Sequence, residues 1–288
     1  MARFADVVGR YVYMTVDEVE YRVYYEEAGQ GIPVILQHTA GADGRQWRHL
    51  LEDAEITSRF RLIAHDLPYH GKSSPPVGPR WWETEYELTQ DFFMRFVVGL
   101  SETLELDHPV YMGCSMGGHL APDLALYYPE EFRAAIGLEG AMATHGYDRL
   151  IPWFNHPRLG NDSKPSQMYT LMAPQSPEEL KRETTWVYSQ GAPAVFKGDL
   201  YYYGIEHDLT GTARDIDTSR CPLYILSGEY DWSAHPEACE ALVKEVKGAS
   251  YTLMERMGHF PMCENPTNFK RYIMPVLDEI ESRSSLTA

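Results

Sequence analysis

Little in this 288-residue chain points to a scaffold held by cross-links. It has four cysteines, Cys114, Cys221, Cys239 and Cys263, widely spaced and with no C-x-x-C pair. That spacing reads as free thiols in a reducing compartment. No run of 18 apolar residues is present, so no membrane-spanning helix is expected. The first 22 residues lack the apolar stretch of a secretory signal, which makes the cytoplasm the expected location. Basic residues are scarce: 25 Lys and Arg stand against 42 Asp and Glu, a net charge of −17. Such a surface repels nucleic-acid phosphates and anionic lipid. There is no G-x-G-x-x-G, no Walker loop and no H-E-x-x-H, and His235, Glu264, Asp43 and the cysteines form no metal-ligand spacing. No cofactor or metal is expected. The partners reduce to a small-molecule substrate, with a homo-oligomer left open.

What is present is a regular alternation. Residues 9–28 are β-branched and Tyr-rich with polar residues interleaved, which predicts two antiparallel strands. Short apolar runs then follow at 33–38, 60–66, 109–115, 133–140, 222–231 and 250–259. Runs of this length fit strands buried on both faces of a parallel sheet. Amphipathic stretches lie between them. Leu88, Phe92, Phe96, Leu100 and Leu104 recur every four residues, and Ala238, Ala241, Leu242 and Val246 form a second stripe. Phe269, Ile273, Val276, Leu277 and Ile280 form a third, which Pro275 should kink or shift. Alternating strands and helices predict an α/β sheet with right-handed crossovers. Residues 141–215 break the rhythm, being rich in proline and aromatics without a convincing buried strand. Seventy-odd residues are too many for a bare loop, so a helical cap over the sheet's C-terminal edge is expected there. The tail 282–288 reads as disordered.

The strand at 109–115 runs into Gly113-Cys114-Ser115-Met116-Gly117-Gly118. A serine at the centre of G-x-S-x-G sits on a sharp turn, where small residues must flank it because strand and helix nearly touch. The helix that follows offers unpaired N–H groups to a developing negative charge. Asp231 follows the next-to-last strand and His259 the last. Serine, acid and histidine in that chain order, each at a strand C-terminus, meet along one edge of a parallel sheet. Ser115, Asp231 and His259 are the expected catalytic residues. Glu139 ends an earlier strand on the same edge, but Asp231 in its Gly-x-x-Asp turn is the better seat for the acid.

With these motifs in hand, the chain resembles the α/β-hydrolases over nearly its whole length, in QHTAGADGRQW (37–47), DLPYHGKS (66–73), GCSMGG (113–118), LSGEYD (226–231) and GHFPMCENP (258–266). The resemblance implies a mostly parallel eight-stranded sheet flanked by helices, with a core of residues 1–140 and 216–288 and a cap of 141–215. It implies an oxyanion hole made by the Ala40 and Met116 amides. Two departures stand out: Thr39 replaces a glycine of the first loop, and Tyr69 replaces a glycine of the second. Pro122, inside the helix after the elbow, is unusual too. In this family a carboxylate at the elbow marks dehalogenases and epoxide hydrolases, so Ser115 points instead to esters, lactones, thioesters, amides or activated C–C bonds.

The aromatic cap predicts a hydrophobic substrate, and Thr39, Trp153, Trp186, Tyr203 and Phe260 are the expected contacts. Arg149, Arg158 and Lys164 keep an anionic substrate open. His38, His70, Asp66 and His119 read as structural braces, Cys114 as packing and Arg45 as a solvated arginine. The expected activity is that of a serine carboxylesterase or lactonase acting through an acyl-enzyme. A C–C hydrolase of ring-cleavage products is the alternative, although Phe260-Pro261 follows His259 where those relatives typically carry Trp. A slow-turnover ligand receptor is the other.

Overall fold

A computed structural model describes residues 2, 4–156, 158 and 163–287. Eight strands form one sheet: β1 (Val8–Val16), β2 (Val19–Ala28), β3 (Ile32–Gln37), β4 (Phe60–His65), β5 (Val110–Cys114), β6 (Ala134–Leu138), β7 (Leu223–Gly228) and β8 (Ser250–Met254). Their spatial order is 1-2-4-3-5-6-7-8. The β1–β2 and β2–β4 pairings are antiparallel and all others parallel. The first hairpin turns on Asp17 and Glu18, both at positive φ, the geometry whose twist matches a two-residue connection. Strands β5, β6 and β7 are buried along their whole length. That follows from helices covering both faces, and it explains why the runs carry no polar alternation.

The helices are α1 (Arg48–Leu51), α2 (Ala54–Thr57), α3 (Gln90–Thr103), α4 (Met116–Tyr127), α5 (Ser163–Thr170), α6 (Glu178–Gln190), α7 (Pro193–Tyr201), α8 (Pro236–Glu245), α9 (Pro261–Glu264) and α10 (Pro266–Thr287). Thr89 caps α3 by accepting from the Phe92 amide, and the helix buries Phe93, Phe96, Val97 and Leu100. Leu88 and Leu104, at the ends of the expected stripe, lie just outside it. Helix α10 continues through Pro275. The proline faces solvent, where water can take the carbonyl it leaves unpaired. The same helix runs on to Thr287, so the tail expected to be disordered is helical up to that point, and Ala288 lies outside the described residues.

Between β6 and β7 the described chain contributes no strand to the sheet, only an isolated bridge of Ala143 to Asp208. It carries α5, α6 and α7 and packs Tyr188, Phe196, Leu200, Tyr202 and Tyr203 into the same apolar core as the sheet. The order of strands reverses between β3 and β5, since β4 lies on one side of β3 and β5 on the other. A crevice opens where neighbouring strands send their connections in opposite directions. The loops that leave β3 and β5 at that crevice carry Ala40 and Ser115.

Candidate active site

Ser115 follows β5 at φ 59° and ψ −116°, outside the comfortable range of a residue with a side chain, and α4 starts at the next residue. The turn is possible because its neighbours lack Cβ atoms. A Cβ on Gly113 would lie 2.4 Å from the Gly117 carbonyl oxygen, and one on Gly118 would lie 2.0 Å from that of Leu138. The Ser115 amide donates to the Leu138 carbonyl at 2.9 Å, which ties the elbow to β6. Cys114 points away into the core, its thiol donating to the His259 carbonyl at 3.2 Å. Burial holds that thiol well above its ordinary range, so it is no competing nucleophile.

His259 donates through Nδ1 to Asp231 Oδ2 at 2.7 Å, which fixes the tautomer and leaves Nε2 as a proton acceptor. Asp231 also accepts from the Ser233 amide at 2.8 Å. Glu139 lies beneath it, at φ 59°, accepting from the Gly228 amide at 2.8 and 3.0 Å. Burial, then the Asp231 charge, pushes the Glu139 carboxyl well above the carboxylate range, and the two acids share a hydrogen bond. Asp231, not Glu139, therefore carries the contact to the imidazole. The His259 loop is held by Glu264, fully buried, which accepts from the amides of Gly258 (2.7 Å), Ala173 (3.1 Å) and Phe260 (3.3 Å) and from the Ser176 hydroxyl (2.8 Å). The His259 amide donates to the Leu171 carbonyl at 3.0 Å.

The loop after β3 has nearly all its amides engaged. Thr39 N donates to Gln46 Oε1 at 3.0 Å, Gly41 N to Asp199 Oδ2 at 2.6 Å, Ala42 N to the Thr39 carbonyl at 3.2 Å and Gly44 N to Asp66 Oδ1 at 2.8 Å. Among the described residues, the Ala40 amide and the Met116 amide at the start of α4 have no acceptor. His38 braces the loop from beneath: Nδ1 donates to the Thr39 carbonyl and Nε2 accepts from the Leu67 amide. Burial, then the neighbouring His70, lowers its pKa to about 4, so the ring is neutral. His119, one turn into α4, donates to the Ser115 carbonyl and accepts from the Thr144 hydroxyl. It is also held neutral by burial.

Ser115, Ala40 and His259 line one cavity of about 200 Å³. Its walls are mostly apolar and aromatic, including Phe154, Met168, Leu171, Tyr188 and Phe196. Its polar lining includes Ser163, Gln167 and the Ser233 hydroxyl, the last 2.7 Å from that of Tyr147 and 3.2 Å from that of Tyr203. No Lys, Arg, Asp or Glu is among the described lining residues. Of the expected substrate contacts, Trp153 and Tyr203 line this cavity. Three do not, each for a local reason. Thr39 is engaged behind the wall, its hydroxyl shared with Gln46 Oε1 and the Tyr188 hydroxyl. Trp186 is 56 % exposed on the far side of α6, under Arg45. Phe260 is fully buried, packed edge-on to His259 and against Tyr188. The cations are elsewhere: Arg45 grips both oxygens of Asp43, and buried Lys164 donates to the Gly191 carbonyl. Asp199, Gln46 and Glu264 escaped sequence reasoning. Gln46 and Glu264 stood inside quoted motifs with no such role read for them, and nothing in the sequence around Asp199 announces a hydrogen-bonding hub.

No helix among the described residues is long and apolar enough to cross a membrane. The profile of the alpha/beta hydrolase fold family matches residues 32–162. The chain is similar to the 2-hydroxy-6-oxononadienedioate/2-hydroxy-6-oxononatrienedioate hydrolases of Burkholderia vietnamiensis, at 25% identity over 93% of this chain and 95% of that one, and of Paraburkholderia phymatum, at 29% identity over 94% and 96%. Its fold is similar to that of a thermophilic esterase from Thermogutta terrifontis, with a TM-score of 0.80, 20% identity and coverage of 94% of this chain and 99% of that one. It is similar too to the enol-lactonase of Burkholderia xenovorans, with a TM-score of 0.77, 19% identity and coverage of 93% and 100%. Eight strands in this order, the serine elbow between β5 and α4, the profile match and the similar solved structures together show that the chain has the alpha/beta hydrolase fold.

Proposed function

We propose that the chain is a serine hydrolase that cleaves a small, largely apolar or aromatic carboxylic ester or lactone. The observation that carries this reading is the cavity itself: Ser115 and His259 face one uncharged, aromatic-walled space, with His259 backed by Asp231 at 2.7 Å. Ser115 Oγ attacks the acyl carbon while His259 Nε2 takes its proton and then passes it to the leaving group. Asp231 keeps the ring oriented and stabilises it when charged. The Ala40 and Met116 amides receive the oxyanion, and one such donor contributes roughly 3–4 kcal/mol of barrier lowering. Water attacks the acyl-enzyme by the same route in reverse. The helices between β6 and β7 act as a cap that excludes solvent and supplies most of the apolar wall.

A second reading is favoured by the relatives named as hydrolases of oxononadienedioates: C–C cleavage of a ring-fission product. A dioate brings two carboxylates, and burying either needs a paired cation. The described cavity wall offers none, with Arg45 and Lys164 engaged elsewhere, so the neutral ester or lactone is preferred. The test is labelling with a fluorophosphonate followed by peptide mapping, alongside turnover of aryl esters, lactones and a vinylogous 1,5-diketone dioate. An adduct on Ser115 and faster turnover of neutral esters support the reading. Preference for the dioate overturns it in favour of the C–C hydrolase. A burst of one equivalent without steady turnover assigns a ligand receptor instead.

A further inference from the structure

The loop that carries Ala40 is tied from outside by a carboxylate of the inserted segment. Asp199, on α7, is fully buried. Its Oδ2 accepts from the Gly41 amide at 2.6 Å and from His70 Nε2 at 2.8 Å, and its Oδ1 accepts from the Tyr86 hydroxyl at 3.0 Å. His70 donates through Nδ1 to the Pro68 carbonyl at 2.9 Å. Both ring nitrogens therefore face acceptors, so the ring is an imidazolium. Burial opposes that charge, but Asp199 outweighs it and the His70 pKa is raised.

The contact is tight on the other side as well. Gly41 has φ +63°, and a Cβ there would lie 2.7 Å from the Phe196 side chain, one turn before Asp199 on the same helix. The bend from Thr39 to Gly41 is thus pinned at both ends, by Gln46 at Thr39 and by Asp199 at Gly41. Between the pins sits the Ala40 amide, which has no acceptor among the described residues. We propose that Asp199 is a positioning residue for the oxyanion hole: by gripping the Gly41 amide it aims the Ala40 N–H into the cavity, so the hole is complete only while α7 is seated on the loop. This rests on the serine-hydrolase reading above. A charge-assisted hydrogen bond suits the task, being shorter and stiffer than a neutral one. Small displacements of an oxyanion donor are costly because the donor must meet the oxygen where charge develops.

The experiment uses the full chain with Asp199→Leu, Asp199→Asn and Tyr86→Phe, each checked by near-UV circular dichroism. It reads kcat and KM for p-nitrophenyl acetate and the rate of Ser115 labelling by a fluorophosphonate. Asp199→Leu removes the acceptor and should lower kcat and the labelling rate about 30-fold or more, with KM within about threefold, since oxyanion contacts act in the transition state. Asp199→Asn keeps an oxygen for the Gly41 amide and should recover much of that loss, ending about 3- to 10-fold below wild type. Tyr86→Phe takes a donor from Oδ1 without touching Gly41 and should change kcat less than about threefold. A folded Asp199→Leu with wild-type kcat overturns the proposal, as does a Tyr86→Phe loss equal to it. Should Asp199→Leu fail to fold, wild-type rates in Asp199→Asn overturn it. Wild-type protein that does not label at Ser115 overturns the hydrolase reading and this inference with it. Wild-type labelling with unaffected Asp199 variants overturns this inference alone.

Discussion

The loop after β3 separates two very different spaces. In front lies the apolar cavity of about 200 Å³ with Ser115 and His259. Behind lies a polar cleft of about 350 Å³, lined by Asp43, Arg45, Asp66, His70 and Lys72 among others. In the cleft every charge is answered. Arg45 grips Asp43, Lys72 donates to the Tyr24 hydroxyl, and Asp66 accepts from the Gly44 and Lys72 amides. Burial, then Asp43, still pushes Asp66 up to about 6. At the cavity the reverse holds: the Ala40 and Met116 amides and His259 Nε2 have no hydrogen-bond partner among the described residues. The contrast shows how one short loop does two jobs. Its rear donors are paired within the protein, whereas the Ala40 amide at its front has no partner among the described residues.

The strongest way to break the contrast is to empty the front. Ser115→Ala should cut ester turnover by roughly 10⁴-fold or more and abolish the fluorophosphonate adduct. Normal hydrolysis by the purified variant would refute the assignment. Asp231→Asn should follow closely, at about 10⁴-fold in kcat, because the amide favours the wrong tautomer of His259. Steady-state kinetics on an aryl ester decide it. Gly118→Ala tests the elbow rather than the chemistry. With backbone 2.0 Å from the new Cβ, it should cost more than about 3 kcal/mol of stability, and an unchanged denaturant midpoint would contradict the packing argument.

His38 sharpens the rear. The folded protein keeps it neutral with a pKa of about 4, whereas an unfolded histidine protonates near 6.5. Its contribution is therefore present above pH 6.5 and lost as pH falls toward 4. The stability difference between wild type and His38→Gln should change by about 3 kcal/mol over that window. Urea titrations at pH 7 and pH 4 measure it, and a constant difference would contradict the burial. The smallest effect is expected at Glu139→Gln. The amide can still donate to Asp231, so kcat should fall less than about threefold, and a loss near that of Asp231→Asn would exchange the roles of the two acids.

Much of the sheet and elbow was legible because both are governed by local rules. Apolar runs between turns mark β5, β6 and β7, and the glycines around Ser115 are dictated by distances within a few residues. The chain order of Ser115, Asp231 and His259 needed only the rule that parallel strands share an edge. What stayed hidden depends on long-range pairing. Asp199 meets Gly41 across 158 residues, and Glu264 meets Ala173 across 91, separations that leave no periodicity to read. The aromatic contacts failed in the same way. Trp153 and Trp186 look alike in sequence, yet Trp153, on a short helical turn before α5, lines the cavity, while Trp186, on α6, lies under Arg45, and neither placement can be read from the residues beside it. Helix α10 runs through Pro275 because a solvent-facing proline costs a helix less than a buried one, and it continues into the tail expected to be disordered.

Trp153 and Trp232 both line the cavity while standing half in water, at 56 % and 51 % exposure. An indole's emission shortens in wavelength when water leaves it, and these two form part of the wall that an occupant would meet. Trp47, sealed in the core, and Trp186, outside the cavity, supply a steady background. The molecule thus carries a built-in optical gauge, able to rank candidate ligands by a blue shift before any bond is broken.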